Sequence, residues 1–177
     1  MNLRDLTRQL FLSSGKSFAD ATEIKDLERF IKKFRPKSVG KKLIRIGGKG
    51  DGGYLLPDDL SDISACFSPG VDITSTFEED LADRYSIKSF MVDFSVDKPP
   101  IDNKFFHFDK KFLGNKNDEK FIRLEDWIKT NTIDNSDLIL QMDIEGAEYE
   151  VIIDTPIDVF KKFRIMAIEF HSLDMLF

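Results

Sequence analysis

Four carboxylates lie within the eight residues that follow one apolar run in this sequence. The run Leu138–Met142 is typical of a strand buried on both faces of a sheet, and Asp143 and Glu145 follow it closely. Glu148 and Glu150 come where a helix could begin, and acids in a first helical turn complement the helix dipole. Asp143 has no such explanation, because a carboxylate at the end of a buried strand needs a partner. Asp143 is therefore the first candidate for chemistry.

Other apolar runs also end in polar residues. Ligands of parallel α/β sheets bind beyond the carboxyl ends of the strands, so these residues are candidates for a binding site. Asp93 lies about 20 residues beyond Gly70, the offset at which a dinucleotide-binding fold places its ribose-binding acid. A single glycine does not make the G-x-G-x-x-G turn that binds a pyrophosphate, so a nucleoside ligand without phosphates fits better. The strand-end residues are Ser68, Gly70, Asp93, Asp109, Asp143, Glu145, Glu169 and His171.

The elements that must position these residues alternate between strands and helices from Asp62 onward. This alternation is typical of a doubly wound, mainly parallel α/β sheet, for which we predict the strand order 3-2-1-4-5. Thr76, with Glu79 three residues later, predicts a capping box at the start of the first helix. A short helix is predicted at residues 124–129. The five predicted strands are residues 63–67, 89–94, 105–108, 138–144 and 164–170.

Residues 1–60 are predicted to form an extension in front of this core, which takes residues 61–177. Apolar residues at helical spacing predict two helices, and Pro36 ends the second. The segment "IGGKGDGGY" then joins two short strands, without the Lys-Ser/Thr pair and the helix that belong to a phosphate-binding loop. Two interpretations stay open, a structural hairpin and a lid over a ligand. The helical apolar residues are Leu3, Leu6, Leu10 and Phe11, and Ile24, Leu27, Ile31 and Phe34.

Composition limits the possible partners. The 177 residues carry a formal net charge of −6, and dispersed Lys and Arg residues argue against a nucleic-acid-binding surface. Cationic or neutral ligands are favoured. The single cysteine, Cys66, excludes an internal disulfide, and neither a signal peptide nor an apolar run long enough to span a bilayer is evident. We therefore predict a cytoplasmic protein.

Two segments resemble a known family. "LILQMDIEGAEYEVI", followed by "RIMAIEFHSL", is similar to the FkbM-type branch of class I S-adenosylmethionine-dependent methyltransferases, over residues 62–172. "DIEGAE" is the strongest element, and "FMVDFS", "RLEDWI" and "DGGY" fit more weakly. The resemblance implies a Rossmann-like fold that transfers a methyl group from S-adenosylmethionine to a hydroxyl of a sugar, lipid or secondary metabolite.

The cofactor that the resemblance implies has a positive sulfonium and a ribose diol, which carboxylates can bind. Asp93 is expected to hold the diol, the alternative being a strand-end acid that caps a neighbouring turn. Asp109 is either near the adenine edge or an exposed loop acid. The Ser68 to Gly70 turn leads toward a helix N-terminus that could receive a ligand carboxylate. The predicted cofactor site is Ser68, Gly70, Asp93, Asp109 and Asp143.

Methyl transfer to oxygen needs a base that removes the hydroxyl proton. His171 titrates near neutral pH and is one candidate, with Asp143 and Glu145 as the others. Asp143, Glu169 and His171 are also predicted to surround a divalent cation, magnesium or manganese. His107 alternates with phenylalanines along a strand and is predicted to be structural.

A protein of another class is the alternative: a non-catalytic Rossmann-like domain that acts as a cofactor-binding or interaction module. The glycine-rich loop is reduced to "SPGVDITSTFE", and the chain stops soon after the fifth predicted strand, where class I methyltransferases add two edge strands. An unpaired sheet edge and the apolar tail "HSLDMLF" therefore predict self-association. A phosphohydrolase with Asp143 as nucleophile is disfavoured, because its D-x-D-x-T/V run is missing.

Overall fold

The computed structural model describes residues 22–132 and 137–173. Within these ranges the chain has an α/β fold around a five-stranded parallel sheet, which confirms the predicted class. The predicted helix at Leu3 to Phe11 and the end of the apolar tail lie outside the described residues. The elements are α1 (Ile24–Lys33), β1 (Leu43–Ile46), β2 (Tyr54–Pro57), β3 (Ala65–Pro69), α2 (Thr76–Tyr85), β4 (Lys88–Val92), β5 (Phe106–Asp109), β6 (Phe112–Gly114), β7 (Phe121–Arg123), α3 (Leu124–Asn131), β8 (Leu138–Met142), α4 (Glu148–Asp154), α5 (Ile157–Phe160) and β9 (Phe163–Ile168).

The parallel sheet has the strand order β5-β4-β3-β8-β9. If these five strands alone are numbered in chain order, from β3 as strand 1 to β9 as strand 5, their order across the sheet is 3-2-1-4-5. Phe67 pairs with Phe90 on one side and with Leu140 on the other, so β3 is the central strand. Every residue of β3 and of β8 is buried. The carboxyl ends of β3, β4 and β8 therefore lie side by side.

Apolar clusters cover both faces of this sheet. On one face, Phe67 and Leu140 pack with Trp127 of α3 and Val151 of α4. On the other face, Ile139 packs with side chains of α2 and of the β1–β2 hairpin. The second cluster also contains Cys66, which is fully buried, and burial raises the pKa of its thiol well above its usual range. Alternate residues of the buried strands thus face alternate layers.

The glycine-rich segment forms a hairpin that is tied to α2. Strands β1 and β2 pair antiparallel, with Ile46 opposite Tyr54. The Gly47 N–H donates a hydrogen bond to Asp80 Oδ2 at 2.9 Å, within the compact unit Ser38–His171. Gly47 has φ +85°, and a Cβ there would lie 2.3 Å from the Gly52 carbonyl oxygen. The hairpin is thus hydrogen-bonded into this unit.

The start of α2 differs from the predicted capping box. The helix begins at Thr76 itself, so the N-cap residue is Ser75, which makes no side-chain capping bond. The Thr76 hydroxyl instead accepts a hydrogen bond from the Gly48 N–H at 3.1 Å. A contact between the hairpin and α2 has taken the place of the local cap.

Two parts of the described chain do not belong to the parallel sheet. Strands β6 and β7, which the sequence did not predict, form a separate parallel pair. Helix α1 belongs to a second unit and buries none of its side chains, although its Phe30 and Phe34 rings lie 4.5 Å apart. None of the described helices is long and apolar enough to cross a membrane.

Candidate functional site

A cavity of about 550 Å³ opens at the carboxyl ends of β3, β4 and β8. Its described lining contains six acidic side chains and no Lys, Arg or His. Acids that line one cleft focus a negative potential, which favours a cationic ligand. The acids are Asp51, Asp72, Glu78, Asp93, Asp143 and Glu145, and the apolar lining includes Phe77, Val92, Phe112, Leu113, Phe121 and Ile144.

Gly70 directly follows β3 and lies against Asp143, which directly follows β8. Its N–H donates to the Val92 carbonyl at 3.0 Å, and the Asp143 N–H approaches the Pro69 carbonyl at 3.4 Å. The φ of Gly70 is +86°, and a Cβ there would lie 1.6 Å from the Asp143 carbonyl oxygen. Only glycine fits this position, because both the backbone conformation and the neighbouring strand exclude a side chain. Gly70 thus lines the cavity, and close packing requires glycine there.

Asp93 lines the cavity, but its carboxylate is already occupied. Oδ2 accepts hydrogen bonds from the backbone N–H groups of Val71 (3.1 Å) and Asp72 (3.0 Å). Oδ1 accepts from the N–H (2.7 Å) and the hydroxyl (2.6 Å) of Ser95. Burial alone would raise the pKa of Asp93, but these hydrogen bonds outweigh it and hold the pKa below its usual range. This arrangement matches the alternative prediction for Asp93, an acid that caps a neighbouring turn.

Two predicted cofactor residues do not line the cavity. Asp109 is exposed at the end of β5, an edge strand that β4 separates from β3. Ser68 is fully buried beneath the cavity, where its hydroxyl contacts Glu78 Oε1 and Gln141 Oε1. Ser68 therefore acts on the site through these two lining residues.

A hydrogen-bonded chain that the sequence did not predict crosses the cavity wall. It runs from Glu78 through Ser68 and Gln141 to Tyr54, whose hydroxyl accepts from Gln141 Nε2 at 3.3 Å. The Tyr54 hydroxyl also lies 3.4 Å from Asp143 Oδ2. Burial raises the pKa of Tyr54 well above its usual range, so the hydroxyl stays protonated. Tyr54 and Asp51 come from the hairpin, so the glycine-rich segment forms part of the cavity wall.

Asp143 occupies the centre of the acidic lining. Its Oδ1 is buried and has no hydrogen-bond partner among the described residues. Burial and the charge of Glu169 raise the pKa of Asp143, and His171 only partly opposes this shift. Glu145, two residues later, has φ +55° and an 86% exposed side chain. Asp143 is thus the sheltered acid of the pair, while Glu145 is solvated.

His171 lies among three carboxylates. Its Nδ1 is 3.1 Å from Glu148 Oε1, and its Nε2 is 3.7 Å from Asp143 Oδ1 and 3.5 Å from Glu145 Oε2. Burial would lower the pKa of His171, but the hydrogen bond to Glu148 and the three negative charges outweigh it and raise the pKa. A raised pKa lowers the population of neutral imidazole, which is the form that acts as a base. His107, by contrast, is exposed and stacks on Phe90, as expected for a structural residue.

The predicted metal ligands do not form one group. Ligand atoms of Asp143, Glu145 and His171 lie within 4.8 Å of one another, and so do those of Asp51, Asp143 and Glu169. Asp143 belongs to both groups, but Glu169 belongs to one and His171 to the other, so the predicted trio does not surround one point. The Glu169 carboxylate faces the Tyr54 hydroxyl at 3.3 Å, whereas Glu148 holds the imidazole. Carboxylate oxygens with one imidazole suit magnesium or manganese, and the Nδ1 contact to Glu148 leaves Nε2 facing Asp143 and Glu145.

Comparison with protein-family models, with curated proteins and with solved structures finds no match to this chain. The description that stands is therefore an α/β protein with an acidic cavity at its strand ends. A function has to be argued from the charge, the shape and the hydrogen bonds of that cavity.

Proposed function

We propose that this chain is a Rossmann-like, S-adenosylmethionine-dependent methyltransferase that methylates a hydroxyl of a sugar, lipid or secondary metabolite. The proposal rests on the lining of the cavity at the carboxyl ends of three parallel strands. Among the described residues, this lining contains six acidic side chains and no Lys, Arg or His. The cofactor has a sulfonium, an ammonium and a carboxylate group and no phosphate, so its net positive charge complements this lining. A volume of about 550 Å³ also falls in the usual range for small-molecule sites.

The lining residues suit the parts of this cofactor. When bound, the cofactor supplies a methyl group on a positive sulfonium. Val92, Leu113 and Phe121 offer apolar surface suited to a purine. The ribose role expected of Asp93 changes, because a ligand hydroxyl would have to displace one of four hydrogen bonds. We assign Asp93 the task of holding the loop that follows β3.

Asp143 is our choice for the base that takes the acceptor's hydroxyl proton. It lines the cavity, its Oδ2 has a single long contact to the Tyr54 hydroxyl (3.4 Å) among the described residues, and its pKa is raised toward the range in which a carboxylate accepts protons well. His171 does not line the cavity and holds its own proton more firmly. We therefore assign His171 to the positioning of Asp143 and Glu145, with or without a magnesium or manganese ion.

Calorimetric titration of the chain with S-adenosylhomocysteine tests the proposal. We expect saturable one-to-one binding, and no binding of ADP, which offers the same purine with two phosphates that the acidic lining repels. Repeating the titration with EDTA and then with added magnesium shows whether a metal contributes. Wild-type protein that fails to bind S-adenosylhomocysteine, or that binds ADP equally well, contradicts the methyltransferase assignment.

The second candidate is a non-catalytic interaction module. The saturated carboxylate of Asp93 is the observation that favours it, because the ribose contact expected of a methyltransferase is already taken within the protein. The same titration separates the methyltransferase from an interaction module that does not bind the cofactor. A cytoplasmic location remains a prediction for either.

A further inference from the structure

Glu78 is a buried carboxylate in the cavity wall without a compensating cation. Its side chain belongs to α2 and the residue is 4% exposed, yet it lines the cavity. Within residues 22–132 and 137–173, no Lys, Arg or His lies within ion-pair distance of it, and Ser68 is the partner of its carboxylate. Burial raises the pKa of Glu78, and the contacts of its carboxylate with Ser68 and with its own backbone N–H only partly oppose this. A buried carboxylate of this kind is costly unless a positive group meets it.

The hydrogen bonds around Ser68 show which oxygen of Glu78 is free. The Ser68 hydroxyl contacts two acceptors, Glu78 Oε1 and Gln141 Oε1, but has only one proton. Either Glu78 is protonated, or the amide of Gln141 is reversed so that its NH₂ faces Ser68. In both arrangements Oε1 is occupied, and Oε2 makes no hydrogen bond to another described side chain. Oε2 is therefore the atom of Glu78 left for a ligand.

The other lining acids are less suited to a cation. Asp93 already accepts four hydrogen bonds, and Asp143 approaches both Tyr54 and His171. The remaining acids are exposed, so water screens their charges. Glu78 is the acid whose charge is sheltered from water and still unbalanced. These exposed acids are Asp51, Asp72 and Glu145.

We propose that Glu78 binds a primary ammonium group of the ligand, which in S-adenosylmethionine is the amino-acid end. This inference rests on the proposed function and adds the residue that distinguishes the whole cofactor from its nucleoside part. The ammonium keeps Glu78 ionised and donates to Oε2, while Ser68 donates to Oε1. Gln141 then holds Ser68 in place from β8.

Two ligands and two variants test the role of Glu78. S-Adenosylhomocysteine and 5′-methylthioadenosine share the adenosine and the neutral sulfur, but only the first has the amino-acid end. We expect Glu78→Gln to weaken S-adenosylhomocysteine binding about tenfold to hundredfold, the range for a hydrogen bond between charged groups. Methylthioadenosine binding should change by less than about twofold. Glu79→Gln, the same substitution one residue later and outside the cavity, should change neither.

The outcomes separate this inference from the proposed function. Wild-type protein that does not bind S-adenosylhomocysteine overturns both. Wild-type binding with equal losses for the two ligands in Glu78→Gln, or with no loss, overturns only the role of Glu78. If Glu78→Gln does not fold, Glu78→Asp keeps the charge but withdraws it by one methylene, and it should weaken only S-adenosylhomocysteine. Unchanged selectivity in that variant also contradicts the proposal.

Discussion

Asp93 shows at the scale of one residue how a carboxylate stabilises a loop. Its two oxygens accept hydrogen bonds from the N–H groups of Val71, Asp72 and Ser95. The NH₂ group of an asparagine at this position would face one or more of these N–H donors and could not accept from them. We expect Asp93→Asn to lower the free energy of unfolding by about 1.5–3 kcal/mol at pH 7, the range for hydrogen bonds to a charged group. Urea denaturation measures this difference, with the exposed Asp102→Asn as the control.

The effect of Asp93 should depend on pH in a defined direction. The pKa of Asp93 is lowered by folding, so its contribution is fully present above the unfolded value of about 3.9. The contribution is lost as pH falls through the lower folded pKa. The gap between wild type and Asp93→Asn should therefore close in acid, and a gap that stays constant from pH 7 down to pH 2 would argue against the hydrogen-bonded carboxylate as its cause.

The acids of the site could be predicted from the sequence only where they directly follow an apolar strand. Asp143 follows a fully apolar run, and that position alone marked it. Glu78 lies in "FEED", where acids in a first helical turn need no further explanation. Tyr54 and Gln141 are 87 residues apart and meet only because the hairpin covers the sheet. Contacts between distant elements leave no local pattern.

At the scale of elements, Gly70 lets the end of β3 pack against the end of β8. Gly70→Ala would suffer both from φ +86° and from a Cβ 1.6 Å from the Asp143 carbonyl. Gly146→Ala is the matched control, because Gly146 has φ +104° but no atom within 4 Å of the added Cβ. We expect Gly146→Ala to cost about 1–2 kcal/mol of stability from the backbone alone. Gly70→Ala should cost about 1–3 kcal/mol more from overpacking, and equal losses would contradict the close approach of β3 and β8.

Elements were predictable where the apolar runs were long. All five strands of the parallel sheet were found in the sequence, with ends within a few residues of those observed. Strands β6 and β7 have three residues each, too few to show a period, and they were missed. The capping box failed because the Thr76 hydroxyl bonds Gly48, a residue far away in the chain.

At the scale of the whole molecule, the edge of the parallel sheet predicts self-association. Among the described residues β9 pairs only with β8, and its Met166 is 47% exposed. Unpaired edges with apolar side chains favour pairing with another copy. Light scattering over a concentration series should show a mass that rises above the 20.4 kDa monomer.

A charge on that strand should reverse the association. Met166→Lys places an ammonium on β9 and should keep the chain monomeric, since lysine on an edge strand disfavours pairing. Ile73→Lys, at an exposed position in the loop after the central strand, should leave the association unchanged. A wild-type chain that stays monomeric at the highest concentration, or two variants that behave alike, would exclude the β9 edge as the interface.

The fully buried Cys66 gives the molecule a built-in chemical probe. It is the one thiol of the chain and lies on the central strand β3, so a thiol-reactive dye reaches it only when the sheet opens. The rate of labelling therefore reports how often the middle of the sheet separates, without any engineered label. The same burial keeps folded copies from cross-linking through sulfur, so oligomers of the folded protein should be insensitive to reducing agents.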